Sequence, residues 1–168
     1  MTRETIIRTR NFVLLALAQA IVFCQIHLFG YATACIFIIF LLKLPRHTTR
    51  NELMIWGFLF GIVTDMFCNT PGLHAAAATA LAFVRNPILA AFTHKGLPED
   101  FIPGVKSLKW GGYIVYAVIG CTIFYTILFA LELFAVRYFA TLIISTACST
   151  LLTMLFTIVV EFFTPRNQ

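Results

Sequence analysis

The sequence predicts an all-α, polytopic membrane protein that crosses the bilayer six times. Hydrophobic residues make up 60% of the chain and charged residues 11%, whereas soluble domains average about 45–50% and about 25%. A soluble protein of 168 residues has too little interior to hide this much apolar surface. The apolar residues form long blocks between short polar loops. We therefore expect residues 1–168 to be a single integral membrane domain.

The N-terminal apolar block predicts two spans joined by a turn. Residues 11–42 carry no charge and would extend for about 48 Å as one helix, against about 30 Å of hydrocarbon. Gln25, His27 and Gly30 interrupt the block near its middle, which divides it into spans at about 12–26 and 31–44. A cleaved signal peptide is the alternative for its start. Because the apolar run continues past the candidate cleavage site, we expect a retained first span.

Four further spans follow from the remaining apolar blocks. The third, at about 53–69, and the fourth, at about 73–92, are joined by the turn residues Asn69-Thr70-Pro71-Gly72. A polar loop rich in lysine follows. The fifth span is expected at about 110–129 and the sixth at about 138–163.

The basic residues indicate the orientation of these spans. With six spans and both termini in the cytoplasm, every Lys and Arg except Arg137 falls on or near the cytoplasmic side. An odd number of spans, or the opposite orientation, spoils this asymmetry. Arg85 and Glu161 lie near the inner ends of the fourth and sixth spans, so we expect both side chains to snorkel to the cytoplasmic headgroups.

The third span carries Gly57, Gly61 and Asp65 at a spacing of four, so all three share one face of a helix. The glycines allow close approach of a second helix, from this chain or from a partner. An ionisable group costs about 2.5–3.5 kcal/mol at mid-helix on insertion scales, so Asp65 should face protein or water. Three interpretations of Asp65 stay open: a hydrogen-bond anchor between helices, an acid at the outer interface, and a proton or cation transport site. Thr64 and Asn69 are candidate hydrogen-bond partners.

The other reactive side chains form no recognisable catalytic or metal-binding pattern. The five cysteines include no CxxC pair, and we expect small buried or lipid-facing thiols without a disulfide framework or zinc site. The four histidines are scattered, although His27 and His74 both fall at the predicted outer face and would allow a shared site. The sequence shows no nucleophile with a nearby base and no phosphate-binding loop. We expect no enzyme activity, cofactor or metal, and the dispersed basic residues argue against nucleic-acid binding.

Residues 41–85 carry a resemblance to a known family. Leu44-Pro45-Arg46, the pattern Gly57-Phe58-x-x-Gly61-x-x-x-Asp65 and the turn Asn69-Thr70-Pro71-Gly72-Leu73 resemble the rod shape-determining protein MreD family. Length and six-span pattern agree along the whole chain. The resemblance implies a fold similar to the S component of energy-coupling-factor transporters. It also implies structural or partner-docking roles for a set of residues in this segment: Gly57, Gly61, Asp65, Asn69, Pro71 and Gly72.

The resemblance implies a non-catalytic scaffold in the bacterial cytoplasmic (inner) membrane. The main partner would be an MreC-like protein. Through the complex the chain would meet a RodA-like glycosyltransferase, a class B penicillin-binding protein and the MreB filament, as well as membrane lipid. The implied role is support of side-wall peptidoglycan synthesis and of rod shape.

Two rival functions stay open at this point. The first is an S-component-like subunit that binds or transports a small molecule such as a vitamin, in a pocket lined by Asp65, Asn69 and His74. Such pockets need several convergent polar groups. The second is a proton- or ion-coupled transporter subunit that depends on Asp65.

Overall fold

Helices make up most of the described chain. The computed structural model describes residues 10, 12–16, 19, 27–28, 32–93, 101–132 and 139–163. Residues 12–16 are helical. The elements beyond them are β1 (His27–Leu28), β2 (Ala32–Thr33), α1 (Phe37–Lys43), α2 (Arg50–Cys68), α3 (Leu73–Phe92), α4 (Val105–Glu132) and α5 (Phe139–Phe163).

Four stretches of these helices are long and apolar enough to cross a membrane. Within the described residues they are Arg50–Cys68, Leu73–Phe92, Ser107–Glu132 and Leu142–Val159. They overlap the third to sixth predicted spans. The prediction of a helical, multi-pass membrane protein is confirmed at this coarser level, and the total of six spans stays a prediction.

The segment of the second predicted span, 31–44, is not one continuous helix. β2 pairs antiparallel with β1, with Ala32 opposite Leu28, and α1 has only seven residues, about 10 Å of helix. All residues from Ala34 to Leu42 are buried, so the segment is apolar because it lies in the protein core. Most of the first predicted span, 12–26, lies outside the described residues.

Consecutive helices pack side by side. The short turn after Cys68 makes α2 and α3 an antiparallel hairpin, α3 also packs on α4, and α4 packs on α5. α1 contacts α2, α3 and α4, while β2 lies against α5. Pro87 lies inside α3 without ending it, and Lys109, with a φ of 59°, interrupts α4 near its start.

A cluster of aromatic rings fills the centre of this arrangement. Phe60 of α2 lies with its ring centroid 4.1 Å from that of Phe12 and 5.5 Å from that of Phe37, onto which it stacks. Phe37 meets Phe124 of α4 edge to face at 5.4 Å. Phe37, Phe60 and Phe124 are fully buried. These contacts join the helical residues 12–16, α1, α2 and α4 into one core.

Candidate functional site

The glycine face of α2 is covered by α3 of the same chain. A Cβ atom added at Gly57 would lie 2.8 Å from the Ala78 carbonyl oxygen, and one added at Gly61 would lie 2.5 Å from the Ala75 backbone nitrogen. Real Cβ atoms do not approach backbone this closely, so only glycine fits at either position. Of the two partners that the spacing allowed, the structure shows the internal one, so this face is not open to a second protein.

Asp65 continues this face and caps the N-terminus of α3. Its Oδ1 accepts a hydrogen bond from the His74 backbone N–H and its Oδ2 accepts one from the Ala75 backbone N–H, both at 3.0 Å. The N-cap residue of α3, Gly72, has no side chain with which to cap these groups. A carboxylate from α2 therefore satisfies two free N–H groups of the next helix, at the end where the helix dipole favours negative charge.

Two side chains complete the surroundings of the Asp65 carboxylate. The Thr70 hydroxyl lies 3.0 Å from Oδ1, and His74 Nδ1 lies 2.9 Å from the same oxygen. Thr70 and His74 are also within hydrogen-bond distance of each other, at 2.9 Å. Asp65 is only 7% exposed. Each carboxylate oxygen already has a partner inside the chain, which agrees with the anchor interpretation of Asp65.

The expected partners of Asp65 differ in detail. Thr64 donates its hydroxyl proton to the Phe60 carbonyl at 2.9 Å and does not reach the carboxylate. Asn69 contributes its backbone N–H, which bonds to the Asp65 carbonyl. Thr70 and His74 take the side-chain roles. Thr70 lies in the turn and His74 follows it, so their spacing from Asp65 (five and nine residues) fits no single helix and gave no periodic signal.

The turn between α2 and α3 has the conformation that its residues favour. Asn69 ends α2 in the left-handed region, with φ 55°, which Asn tolerates better than most residues. Pro71 follows in the turn. Gly72 has φ 83°, a conformation that suits glycine. The segment thereby returns the chain sharply enough to place the first N–H groups of α3 against Asp65.

Arg85 is buried, so the prediction that it snorkels is wrong. Its Nη2 donates to the Leu42 carbonyl at 3.1 Å and to the Leu44 carbonyl, and Nη1 lies 3.2 Å from Asn86 Oδ1. The Tyr116 hydroxyl bonds to the same Leu42 carbonyl at 3.3 Å. These carbonyls lie at the C-terminal end of α1, where the helix dipole favours a cation. Arg85 thus stabilises a helix that is too short to form alone.

Glu161 forms an ion pair with Lys43, at the last residue of α1. The sequence predicted that Glu161 would extend to the headgroups. Both side chains are partly exposed, so the pair lies near the edge of the protein and ties α5 to α1. Exposed pairs of this kind contribute little free energy, about 0–1 kcal/mol.

Three side chains that are distant in sequence bond to the extended backbone from Thr33 to Ile36: Gln19, Tyr125 of α4 and Ser149 of α5. The Gln19 amide accepts from the Ile36 N–H at 2.8 Å and donates to the Ala34 carbonyl at 2.9 Å. The Tyr125 hydroxyl accepts from the Cys35 N–H and donates to the Thr33 carbonyl, both at 2.9 Å. A non-helical backbone at membrane depth needs such partners, because no water replaces them.

α5 presents a face of hydroxyl side chains to this extended segment. Ser149 Oγ accepts from the Thr33 N–H at 3.1 Å, and the Thr153 hydroxyl lies 2.5 Å from that of Tyr125. The hydroxyls of Thr33, Thr146 and Thr150 are buried and have no hydrogen-bond partner in the described part of the chain. This face was not among the sites predicted from the sequence. Its signal is a spacing of four within the last span: Ser145, Ser149, Thr153 and Thr157.

The cysteines depart from the expectation at one position. Cys68, the last residue of α2, is disulfide-bonded, whereas Cys35, Cys121 and Cys148 are free. The expectation of thiols throughout is therefore wrong for Cys68. Only the backbone of His27 is described, so a shared site with His74 lies outside what the structure describes.

The described residues contain no group of three or more His, Cys, Asp and Glu that could hold a metal ion. Comparison with protein-family models, with curated proteins and with solved structures finds no match for this chain.

Proposed function

We propose that this chain is a non-catalytic membrane scaffold of the MreD type, which binds an MreC-like protein in the bacterial cytoplasmic membrane. The observation that carries the proposal is the Asp65 anchor. The most distinctive part of the MreD-like pattern, Gly57 to Gly72, folds into a helical hairpin whose small and polar residues hold one another. Such a hairpin gives a fixed surface for a partner. Both carboxylate oxygens of Asp65 already accept hydrogen bonds within the chain, so neither is free to act on a substrate.

The surfaces left open on α2 suit contacts inside a bilayer. Ile55, Leu59 and Met66 are 60%, 43% and 77% exposed, and their spacing places them on one outward side of the helix. With short loops, most of the area that a partner can reach lies at membrane depth. Helix contacts there contribute modest energies of about 0.6–2 kcal/mol per hydrogen bond.

The disulfide at Cys68 supports the proposed orientation. Cys68 lies at the end of α2 that the positive-inside analysis places outside the cytoplasm. Disulfides persist in oxidising compartments such as the periplasm and are rare in the cytosol. Both arguments favour a periplasmic position of the α2–α3 turn, which is the position that the proposed role as a cytoplasmic-membrane component of the rod complex requires.

Co-purification tests the proposal. The partner is a protein with one N-terminal span, a coiled coil and a β-rich periplasmic domain, which we expect to be encoded directly upstream. Coexpressed with the tagged chain, this partner should be recovered at a similar molar amount, while an unrelated single-span protein should not. A photo-crosslinker at Ile55, Leu59 or Met66 should capture it, and one at the buried Leu53 should not. Absence of the partner from every preparation contradicts the proposal.

The S-component alternative has one observation in its favour. The hydroxyls of Thr33, Thr146 and Thr150, which have no hydrogen-bond partner among the described residues, are polar groups that a small ligand could engage. Against it, Asp65 and His74, which were expected to line the pocket, bond to each other and to the backbone. Equilibrium dialysis of the purified chain against a panel of water-soluble vitamins separates the two functions. Saturable, stoichiometric binding favours the alternative.

A further inference from the structure

An apolar groove runs along the outer side of α3. It has a volume of about 680 Å³. Its lining combines small residues of α3 with larger side chains from the neighbouring helices, among them Met54 and Phe58 of α2 and Ile127 of α4. It begins at Gly72, just before α3, and follows α3 as far as Val84, a length of about 16 Å at the helical rise. This length is about half the thickness of a bilayer's hydrocarbon core.

A cation stands at one end of this groove. The guanidinium carbon of Arg50 lies 4.7 Å from the ring centroid of Phe83, and Phe83 lines the groove. Arg50 is exposed, and so is Arg46 nearby, while the acid nearest in sequence, Glu52, is partly buried. Arg50 begins α2, so its charge lies where the hairpin meets one surface of the membrane.

We propose that this groove binds one acyl chain of an anionic phospholipid, with the headgroup phosphate held by Arg50. The groove is about as long as one leaflet is deep and extends from the Arg50 end toward the α2–α3 turn, and the guanidinium at its end complements a phosphate. The floor is formed by small side chains, Ala76 and Ala80, between the exposed rings of Phe58 and Phe83. The lipid belongs to the leaflet on the side where α2 begins. The inference is independent of the MreD-like role and requires only that the four apolar helices cross the membrane.

Native mass spectrometry of the full-length chain tests this site. The protein is reconstituted in nanodiscs of equal parts phosphatidylglycerol and phosphatidylcholine, then released into detergent. We expect one retained phospholipid per chain, with phosphatidylglycerol preferred about fivefold, the preference that one basic residue near the surface supports. Arg50→Gln should remove the preference. Arg46→Gln, the matched control at the same surface, should keep it.

A second pair of variants tests the groove itself. Ala76→Leu and Ala80→Phe fill the floor at two separate positions, and each should lower the retention of both lipids. Thermal melting in detergent verifies that the variant proteins are folded. One folded variant of the two is enough to test whether the groove holds the lipid. Equal retention of the two lipids by the wild-type chain would overturn the proposal. An unchanged preference in Arg50→Gln, or unchanged retention of both lipids in a folded groove variant, would overturn it too. A chain dimer that Ala76→Leu dissociates would also overturn it, because the occupant would then be a second copy.

Discussion

At the scale of single residues, the two buried charges each stabilise the end of a helix. The Asp65 carboxylate accepts from the first N–H groups of α3, and the Arg85 guanidinium donates to the last carbonyls of α1. Each charge meets the dipole end that attracts it. Burying either charge without these partners would cost several kcal/mol, so the partners explain why a mostly apolar core contains both.

This account predicts the effect of substituting Asp65. Asp65→Leu leaves the His74 and Ala75 N–H groups buried without an acceptor, and we expect a loss of about 3 kcal/mol or more in the free energy of unfolding. Asp65→Asn keeps one carbonyl acceptor and should lose about 1–2 kcal/mol. Thermal melting of the purified chain in detergent measures both.

Met66→Leu is the matched control for this series. Met66 is the next residue along α2 and is 77% exposed, so its replacement should leave the melting temperature unchanged. An Asp65→Leu protein that melts together with the wild type and the Met66→Leu control would show that Asp65 does not hold the hairpin.

At the scale of the elements, the close contact between α2 and α3 depends on missing side chains. The backbone of Ala75 occupies the space that a Cβ atom of Gly61 would need. Glycine in the interior of a helix otherwise costs about 0.5–1 kcal/mol relative to alanine. The two glycines therefore lower the intrinsic stability of α2 but allow α2 and α3 to pack more closely, as is common in membranes.

A pair of glycine substitutions separates these two effects. Gly61→Ala should destabilise the hairpin by about 1–3 kcal/mol, because the helices must move apart. Gly111→Ala, in α4, meets no atom within 4 Å, and should stabilise the protein by about 0.5–1 kcal/mol through helix propensity alone. Chemical or thermal denaturation in detergent gives both values. Equal stabilisation by the two alanines would mean that α2 and α3 do not pack as described.

The element scale also shows how far the sequence could predict the site. Gly57, Gly61 and Asp65 share a face by helical spacing alone, and the turn residues mark where α2 ends, so the hairpin was foreseeable. The Thr70 contact was not, because Thr70 reaches Asp65 from the turn and not along a helix, and His74 was expected beside Asp65 only as a lining residue of a ligand pocket. The prediction for Arg85 was wrong for a similar reason. Its partners are backbone carbonyls about forty residues away in the chain. Every residue has such a carbonyl, so the sequence does not indicate which ones will bind an arginine.

At the scale of the whole molecule, hydropathy predicted the helical membrane class but not the shape of residues 31–44. Lipid-facing helices and buried extended segments are equally apolar, so composition alone does not distinguish them. The polar residues that satisfy the extended backbone come from distant parts of the chain: Gln19, Tyr125 and Ser149. Such contacts are set by tertiary packing and are invisible to a window along the sequence.

The orientation of the whole chain decides whether the proposed scaffold can meet its partners. The proposed scaffold requires the α2–α3 turn in the periplasm and both termini in the cytoplasm, which is the arrangement that the distribution of basic residues predicts. The disulfide at Cys68 agrees with this placement of the turn.

Reporter fusions test this arrangement most directly. Green fluorescent protein fused to the N-terminus or to the C-terminus should fluoresce if both ends lie in the cytoplasm, as predicted. Alkaline phosphatase fused after Thr70 should be active if the α2–α3 turn lies outside, as predicted. A fluorescent fusion at only one terminus, or an inactive phosphatase at a turn whose fusion protein is inserted and stable, would contradict the six-span scaffold.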